Sequence, residues 1–426
     1  MQFLSHCTSL AQQLPAGVHV INLCNNRYRF LVAFCAVILR NQTNLLPPNK
    51  NVATQIRLAS LYDDCYLLHD GDTDIASDIR ALNMTDLVLD ISTTFDVSPT
   101  IPAEHLAAIS FTSGSTGDSK PNKKYWHSLK VSSDINYRHM IPENTSVLHQ
   151  VATVPAQHMW GLETSIFLPL HHNVCIADSR PFYPEDILLH LRLLPQPRML
   201  VTTPVHLRSL VEGFSERTIS DVRPHVDLIL CATSPLLPVL AKSAEAFFTG
   251  ELREVYGCSE VGSMAVRHTA NDTVWRLFDD IAFNYQPDGV VVTAEHLAES
   301  TLLQDKIERC DTHHFVLKGR SEDMIDIAGK RGSLVEINQV LLSFDGLQDG
   351  LVFFPKNQPG LGRLAAIVTL KTGVTKNDVK QYFRQHVDNA FVPRPIIVVD
   401  ELPREETGKL SNSTIMNIYS HRKISV

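Results

Sequence analysis

The sequence predicts an α/β fold in two parts: a large N-terminal α/β domain and a small α+β C-terminal domain. Strand-like apolar runs alternate with helical patterns through most of the chain, which is typical of a mainly parallel sheet covered by helices. The pattern changes to short β segments after Asp288, and a β-α-β-β-α-β order follows Arg320. We therefore place the domains at residues 1–320 and 322–426.

Each predicted element rests on a local pattern. The segment 27–39 contains a continuous apolar run and indicates a buried helix, and residues 52–62 form a second one. Helices 184–194, 204–214 and 238–248 each open on a proline, which suits a first helical turn. The predicted strands of the larger domain are 18–24, 66–69, 87–91, 106–111, 146–151, 173–177, 199–202 and 226–231. The smaller domain has predicted strands at 324–327, 350–354, 364–370 and 396–399, and helices at 334–343 and 376–385.

Composition indicates a globular chain with a sizeable core and limits its partners. The apolar fraction is 44% and the charged fraction is 20%. A net charge of −8 argues against general nucleic-acid binding, which needs a basic face. The eight cysteines include no C-x-x-C pair, which favours reduced thiols in the cytoplasm over a zinc site or a disulfide framework. We see no signal peptide, and the longest apolar run, residues 30–39, is too short to span a bilayer.

Residues 110–121, with the sequence S-F-T-S-G-S-T-G-D-S-K-P, form the first candidate site. Its two glycines permit a turn in which successive N–H groups face one concavity, and its hydroxyls and lysine add donors and a positive charge. Such a loop suits the phosphates of a nucleotide. A surface loop is the alternative, because the spacing does not fit the Walker A pattern. The candidate phosphate-binding residues are Thr112, Ser113, Gly114, Ser115, Thr116, Gly117 and Lys120.

The string T-S-G-S-T-G-x-x-K resembles the phosphate-loop signature of the adenylate-forming superfamily. That superfamily includes acyl- and aryl-coenzyme A synthetases and the adenylation domains of peptide synthetases. The chain departs from the signature at Ser119, where the family usually has proline. The resemblance implies the fold of these enzymes, in which a large N-terminal domain of layered α/β subdomains is joined by a hinge to a small α+β C-terminal domain. It also implies ATP and Mg²⁺ as cofactors and activation of a carboxylic acid.

Residues 255–262, V-Y-G-C-S-E-V-G, are the second candidate. An aromatic ring can stack on a purine, and a carboxylate beside a hydroxyl can hold Mg²⁺. A buried tyrosine followed by a turn with a solvated glutamate is the alternative. The stretch is similar to the family's Y-G-x-T-E motif, with Ser259 in place of threonine. The resemblance implies that Tyr256 and Gly257 lie against the adenine, that Ser259 contacts a phosphate, and that Glu260 is a catalytic residue and the ligand of Mg²⁺.

Asp311 and the string G-R-S-E-D-M-I-D-I-A-G-K-R at residues 319–331 are the third candidate. A carboxylate can accept hydrogen bonds from both ribose hydroxyls, and an arginine can donate to ribose or phosphate. An exposed loop of mixed charge is the alternative. The stretch resembles the family's T-G-D and G-R-x-[DE]-D motifs, although Cys310 stands where glycine is frequent. The resemblance implies that Asp311 and Arg320 bind the ribose and that Glu322 lies at the interdomain hinge.

The fourth candidate is the turn at residues 402–410, L-P-R-E-E-T-G-K-L. By itself it predicts only a turn with a solvated lysine. It resembles the family's P-x-x-x-x-G-K loop, whose lysine reaches the site of the larger domain. The resemblance implies that Lys409 is catalytic and pairs with the substrate carboxylate and the α-phosphate as charge builds in the transition state.

Residues 154–161, V-P-A-Q-H-M-W-G, are similar to the substrate-pocket segment of the same family. His158 is a candidate catalytic residue, and His158 or Trp160 is expected to border the acyl pocket. A histidine satisfied within the core is the alternative. Residues 232–236 occupy the place of the family's glycine-rich loop beside the nucleotide, with its glycines replaced.

The motifs together imply ATP-dependent formation of an acyl-adenylate with release of pyrophosphate, followed by transfer to the thiol of coenzyme A or of an acyl carrier protein. An aryl or acyl acid is favoured, because His158, Met159 and Trp160 stand where an amino-acid site would need an acid for the substrate ammonium. The compact chain most resembles small bacterial synthetases associated with aryl-polyene biosynthesis. A free-standing amino-acid adenylation domain and a non-catalytic nucleotide-binding relative are the alternatives.

Overall fold

The computed structural model describes residues 2–71, 73–89, 99–112, 120–143, 145–215, 223–320, 324–327, 330–355, 363–404 and 410–421. The chain divides into two compact units. The first comprises Met1–Asp272, Arg276–Ala282 and Thr293–Thr301, and the second comprises Thr273–Trp275, Phe283–Val292 and Leu302–Val426. Residues 321–323 lie outside the described ranges, so the boundary between residues 320 and 322 stays a prediction.

The helices of the first unit begin at recognisable signals. The side chain of Asn26 accepts a hydrogen bond from Arg29 N at 3.0 Å and caps α2, and prolines open α7, α8 and α9. The helices are α1 Gln2–Gln13, α2 Arg27–Leu39, α3 Val52–Leu61, α4 Trp126–Met140, α5 Met159–Leu162, α6 Leu168–His171, α7 Pro184–Leu193, α8 Pro204–Ser215 and α9 Pro238–Phe248. A π-helical turn, Glu163–Phe167, joins α5 to α6, and a 3₁₀ turn spans Met84–Asp86.

The first sheet has six strands in the order β4-β3-β1-β2-β5-β6. Its strands are β1 His19–Asn22, β2 Thr43–Leu46, β3 Cys65–His69, β4 Ala81–Asn83, β5 Leu106–Thr112 and β6 Lys120–Tyr125. The pairs are parallel except that β6 runs antiparallel to β5. The strand predicted at 87–91 is wrong for residues 87–89, which are irregular, and residues 90–91 lie outside the described ranges.

The second sheet of this unit supplies the edge at which His158, Tyr256, Gly257, Ser259 and Glu260 lie. Its strands are β7 Leu148–Ala152, β8 Val174–Ile176, β9 Arg198–Thr202, β10 Leu228–Cys231, β11 Glu251–Cys258, β12 Gly262–Arg267 and β13 Trp275–Leu277. They are ordered β13-β12-β11-β10-β9-β7-β8, parallel from β8 to β11 and antiparallel beyond it. The mainly parallel, helix-covered architecture is therefore confirmed. Parallel strands place their carboxyl ends on one edge, where ligands bind in such folds.

Shorter strands follow, and the chain then builds the second unit. A small sheet contains β14 Ile281–Gln286, β15 Gly289–Ala294 and β16 Thr301–Leu302. Two hairpins come next, formed by β17 Asp305–Arg309 with β18 His314–Arg320 and by β19 Met324–Ile327 with β20 Lys330–Ser333. The remaining elements are α10 Leu334–Leu342, β21 Leu347–Phe353, β22 Ala365–Leu370, α11 Lys376–His386, a 3₁₀ turn Asn389–Phe391, β23 Ile396–Val398 and α12 Asn412–His421.

Side-chain alternation along β22 explains why the second unit has a core on each face of its three-stranded sheet. Ala366 and Val368 pack in the cluster that includes residues of α10 and α11. Ala365 and Ile367 pack in the cluster that includes α12. Within the described ranges, none of the helices combines the length and the hydropathy that a bilayer-spanning segment needs.

Candidate functional site

The predicted phosphate loop joins two paired strands of the first sheet. Thr112, at the end of β5, is the register partner of Lys120, at the start of β6. The intervening loop residues Ser113, Gly114, Ser115, Thr116 and Gly117 lie outside the described residues, as do the side chains of Thr112 and Lys120. The backbone pairing therefore fixes the two stems from which the loop leaves and returns.

A tight hairpin between β11 and β12 carries the second motif. Tyr256 is 9% exposed and Gly257 follows it within β11, whereas Ser259 is half-buried and Glu260 is exposed in the turn. A Cβ atom on Gly257 would lie 2.4 Å from the carbonyl oxygen of Gly262, and Gly262 itself has a φ of +93°. Two glycines are therefore required for the strands to approach this closely. The hairpin leaves the carboxylate of Glu260 open to a ligand at the end of a parallel strand.

Two buried charged side chains hold this hairpin from neighbouring elements. Lys124 on β6 donates from Nζ to the carbonyl oxygens of Ser259, at 2.7 Å, and of Glu260, at 3.2 Å. Glu163 in the π-helical turn accepts from Ser263 N at 3.1 Å and from Ser263 Oγ at 2.7 Å. Burial lowers the pKa of Lys124, although the charges of Glu163 and Glu260 oppose that shift. Sequence reasoning assigned no role to either residue.

The predicted substrate-pocket segment lies beside the same hairpin. A Cβ atom on Gly262 would lie 3.3 Å from Met159 Cε, so the start of α5 packs against the start of β12. His158 precedes α5 and is half-buried. Trp160 is buried and donates from Nε1 to Thr202 O at 3.3 Å, at the carboxyl end of β9. The structure thus brings the motif at residues 255–262 and the segment 154–161 together on one edge of the sheet.

A buried histidine adds a polar group to this edge. His206 Nδ1 lies 2.9 Å from Thr203 Oγ1 and 3.2 Å from Thr153 Oγ1, both of which follow strand ends. Burial and, to a lesser extent, the charge of Arg180 lower the pKa of His206 to about 4. The imidazole is therefore neutral at pH 7 and acts as a hydrogen-bonding group.

The loop after β10 is anchored by a buried carboxylate. Glu254 accepts from Leu236 N at 3.0 Å, which holds the end of the segment 232–236, and from Arg267 Nε at 2.7 Å. Burial raises the pKa of Glu254 despite the opposing charge of Arg267. Thr233 in this loop has a φ of +86°, a left-handed conformation that non-glycine residues rarely adopt. The chain thus keeps a constrained loop here although its sequence lacks the family's glycines.

The third motif lies on the β17–β18 hairpin of the second unit, and the structure does not bring its two ribose candidates together. Asp311 is exposed in the turn, where its carboxylate accepts from His313 N and His314 N at 2.8 Å each and pairs with His314 Nδ1 at 2.9 Å. These hydrogen bonds, first that of His313, hold the pKa of Asp311 below its usual range. Arg320 stands at the far end of β18, about 20 Å away at 3.3 Å per residue.

Asp305 is the acid that lies across the hairpin from Arg320. The two residues are register partners in the antiparallel pair, so their backbones meet at the same end of the hairpin. The side chain of Arg320 lies outside the described residues. Regular pairing from the turn of this hairpin would place residue 319 opposite Asp305, and an irregularity between Asp305 and Ile307 shifts the register to Arg320. The spacing in the sequence alone therefore gave no signal for this pair.

The remaining predicted residues, Glu322 and Lys409, lie outside the described residues. In the part of the chain that the structure does describe, no cluster of three or more His, Cys, Asp or Glu side chains could hold a metal ion. Mg²⁺ bound through one carboxylate, with water and nucleotide phosphates as its other ligands, needs no such cluster. The exposed carboxylate of Glu260 beside the Ser259 hydroxyl fits that kind of site.

Comparisons with known proteins agree with this arrangement. A family model of AMP-binding enzymes matches residues 2–282, and a model of the AMP-binding enzyme C-terminal domain matches residues 336–409. The chain is 21% identical over 324 residues to a 3,4-dihydroxybenzoate–[aryl-carrier protein] ligase of Bacillus anthracis, which is 74% of this chain and 74% of that protein. It is 22% identical over 306 residues to a 4-coumarate–CoA ligase of Cereibacter sphaeroides, covering 71% and 69% of the two chains.

Similarity of fold extends over almost the whole chain. The o-succinylbenzoate coenzyme A synthetase of Bacillus subtilis, solved in complex with ATP and a magnesium ion, superimposes with a TM-score of 0.78 at 16% identity. The match covers 96% of this chain and 92% of that one. At this level of identity the likeness establishes the fold alone.

Proposed function

This chain belongs to the family of AMP-binding enzymes, and from that membership we propose that it is an AMP-forming acid–thiol ligase. In the first step a carboxylate oxygen of the acid attacks the α-phosphorus of ATP, which forms the acyl-adenylate and releases pyrophosphate. In the second step a thiol attacks the acyl carbon and AMP leaves. The thiol belongs to coenzyme A or to the phosphopantetheine of an acyl carrier protein.

The observation that carries this proposal is the β11–β12 hairpin. It leaves Glu260 exposed next to Ser259, which is what a magnesium ligand at a nucleotide site needs. The ring of Tyr256 is buried in β11, and its contact with the adenine is assigned from the family motif. When bound at Glu260, Mg²⁺ would supply positive charge to the nucleotide phosphates. The buried lysine and glutamate around the hairpin fix its backbone before any ligand arrives.

We assign the other roles from the family motifs. Residues 112–117 and Lys120 bind the phosphates, Ser259 contacts a phosphate, and Lys409 stabilises the charge that builds in adenylate formation. His158 borders the acyl pocket and serves as a candidate catalytic residue. Arg320 contacts the ribose, with either Asp311 or Asp305 as its acidic companion, and Glu322 is the hinge between domains at residues 1–320 and 322–426.

The names of the relatives support an aryl or acyl acid as the substrate. The two ligases compared above act, by their names, on 3,4-dihydroxybenzoate with an aryl-carrier protein and on 4-coumarate with coenzyme A. A cytoplasmic location is consistent with eight cysteines, all in described ranges, that form no disulfide. We propose no nucleic-acid partner, because the chain carries a net charge of −8.

The test is pyrophosphate–ATP exchange with aromatic, fatty and amino acids, each followed by a chase with coenzyme A or a holo-carrier protein. We expect exchange with an aryl or acyl acid. On adding coenzyme A or the holo-carrier protein, we expect AMP to be released and the thioester to form. Exchange with an amino acid alone would support a free-standing adenylation domain. No exchange with any carboxylate would reject the ligase and favour a non-catalytic nucleotide-binding relative.

A further inference from the structure

Lys124 is a buried lysine that donates to main-chain oxygens. Its side chain is 6% exposed, and Nζ lies 2.7 Å from Ser259 O and 3.2 Å from Glu260 O. These two carbonyls belong to consecutive residues of the turn between β11 and β12. One ammonium group therefore holds the two peptide units on either side of the exposed side chain of Glu260.

Stability alone does not account for a lysine at this position. Removing an ammonium group from water carries a desolvation penalty, and well-packed apolar residues in place of buried charges are frequently neutral or stabilising. Lys123, the preceding residue of β6, is exposed, so only one of two adjacent lysines is buried. The buried one faces a turn that carries a candidate magnesium ligand, which suggests that the contact serves the geometry of that turn.

The other end of the turn is fixed as well. Glu163, 3% exposed, accepts from both the backbone N–H and the hydroxyl of Ser263 and also from Ser132 Oγ at 3.0 Å. Lys124 thus holds the backbone of Ser259 and Glu260 in the turn, and Glu163 holds the start of the strand that follows it. With its backbone held on both sides, the turn leaves the Glu260 side chain as its exposed charged group.

The position of Lys124 in the chain links this turn to the phosphate loop. Lys124 lies on β6, four residues after Lys120, and β6 is the strand by which the chain leaves the loop at residues 113–119. A contact that joins β6 to the turn therefore sets the distance between the stem of the loop and the backbone of Glu260. The loop would contact the phosphates directly, and Glu260 would reach the phosphates of the same nucleotide through Mg²⁺.

We propose that Lys124 is a positioning residue that holds the backbone of Ser259 and Glu260 against strand β6, so that the stem of the phosphate loop at Lys120 and the magnesium-binding carboxylate keep one fixed spacing for Mg·ATP. The inference rests on the proposed function. Lys124 does not itself touch the nucleotide in this arrangement. It acts through Glu260, and its loss should therefore show itself as a weaker response to Mg²⁺.

The experiment compares Lys124→Met with Lys123→Met, which removes the exposed neighbouring lysine from the same strand. In pyrophosphate exchange we expect Lys124→Met to raise the Mg²⁺ concentration for half-maximal rate about tenfold, while the KM for the acid changes less than about twofold. Lys123→Met should behave as the wild type. An unchanged Mg²⁺ requirement in Lys124→Met, or an equal rise in both variants, would overturn the proposal.

A double-mutant cycle with Glu260→Gln separates positioning from general support of the fold. If Lys124 acts through Glu260, Lys124→Met adds little to the Mg²⁺ defect of Glu260→Gln, whereas full additivity overturns the proposal. Should Lys124→Met fail to fold, Lys124→Arg keeps the charge but displaces the donors. A raised Mg²⁺ requirement in Lys124→Arg then supports the proposal, and an unchanged requirement overturns it.

Failure of the proposed function can be distinguished from failure of this inference. If the wild type exchanges pyrophosphate with no acid, the ligase proposal falls, but Mg²⁺-dependent binding of a non-hydrolysable ATP analogue can still be measured by calorimetry. If half-maximal binding of the analogue needs a higher Mg²⁺ concentration in Lys124→Met, and Lys123→Met behaves as the wild type, the role of Lys124 is supported. Equal Mg²⁺ dependence in all three proteins overturns it.

Discussion

Individual buried side chains set the polarity of the edge on which the candidate site lies. His206 is buried between two threonines that follow β7 and β9, and burial lowers its pKa to about 4. A histidine in the unfolded chain has a pKa of about 6.5. Between these two pH values His206 is therefore protonated in the unfolded chain and neutral in the folded protein. This difference makes the free energy of unfolding depend on pH.

We predict that His206→Asn reduces the acid sensitivity of the fold. Because the unfolded state binds more protons between pH 6.5 and 4, the histidine's contribution to the free energy of unfolding falls as pH is lowered, by about 3 kcal/mol in total. Urea denaturation at pH 7, 5.5 and 4.5 should show a smaller loss in the variant than in the wild type. His127→Asn, at an exposed histidine, is the matched control. Parallel losses in wild type and His206→Asn would contradict the prediction.

At the scale of elements, patterns that depend on neighbouring residues predicted the fold well. The predicted helix at residues 27–39 is found as Arg27–Leu39, and that at 238–248 as Pro238–Phe248, because an apolar run or a proline marks each start. The strand Lys120–Tyr125 was not predicted, since its lysines and proline disfavour a strand, and pairing with β5 overrides that preference. The polar helix Gln2–Gln13 was missed as well.

In the candidate site too, some residues could be predicted from their neighbours in the sequence and others could not. The turn that carries Ser259 and Glu260 could be recognised from its own residues. Lys124 and Glu163 could not, because their partners in the hairpin are 135 and 100 residues away in the chain. Once Lys120–Tyr125 is known to be a strand, the alternation of its side chains places Lys123 and Lys124 on opposite faces.

The hairpin β17–β18 yields a prediction about the ribose contact. Its register places Asp305 opposite Arg320, whereas Asp311 lies in the turn and already binds two backbone N–H groups and His314. We therefore expect Asp305→Ala to raise the KM for ATP at least about tenfold and Asp311→Ala to leave it within about twofold, since Asp311 has a local role in the turn.

Steady-state exchange kinetics with varied ATP measure both variants. Each aspartate serves as the control for the other, because both lie on one hairpin. A raised KM in Asp311→Ala alone would restore the assignment made from the sequence. Thermal unfolding of both proteins shows whether a change in KM follows from loss of the fold.

For the whole molecule, two half-reactions must use one acyl group in succession. The adenylate forms when the acid meets ATP, and the thioester forms when a thiol replaces AMP, so the groups that assist the first step must give way to those that assist the second. The chain has two compact units, and family models match each of them separately. A hinge at Glu322 is the proposed means of exchanging one set of groups for the other.

We predict that this division of labour is visible in Lys409→Ala. A lysine that pairs with the substrate carboxylate and the α-phosphate stabilises charge that exists only while the adenylate forms, so its removal should lower pyrophosphate exchange by about 100-fold or more. Thioester formation from a supplied acyl-adenylate involves no attack on ATP and should remain within about threefold of the wild type. Lys371→Ala, at an exposed lysine of the same unit, is the control. Equal loss of both half-reactions would mean that Lys409 stabilises the fold or binds the acyl group in both steps. The proposal that Lys409 acts only in adenylate formation would then be wrong.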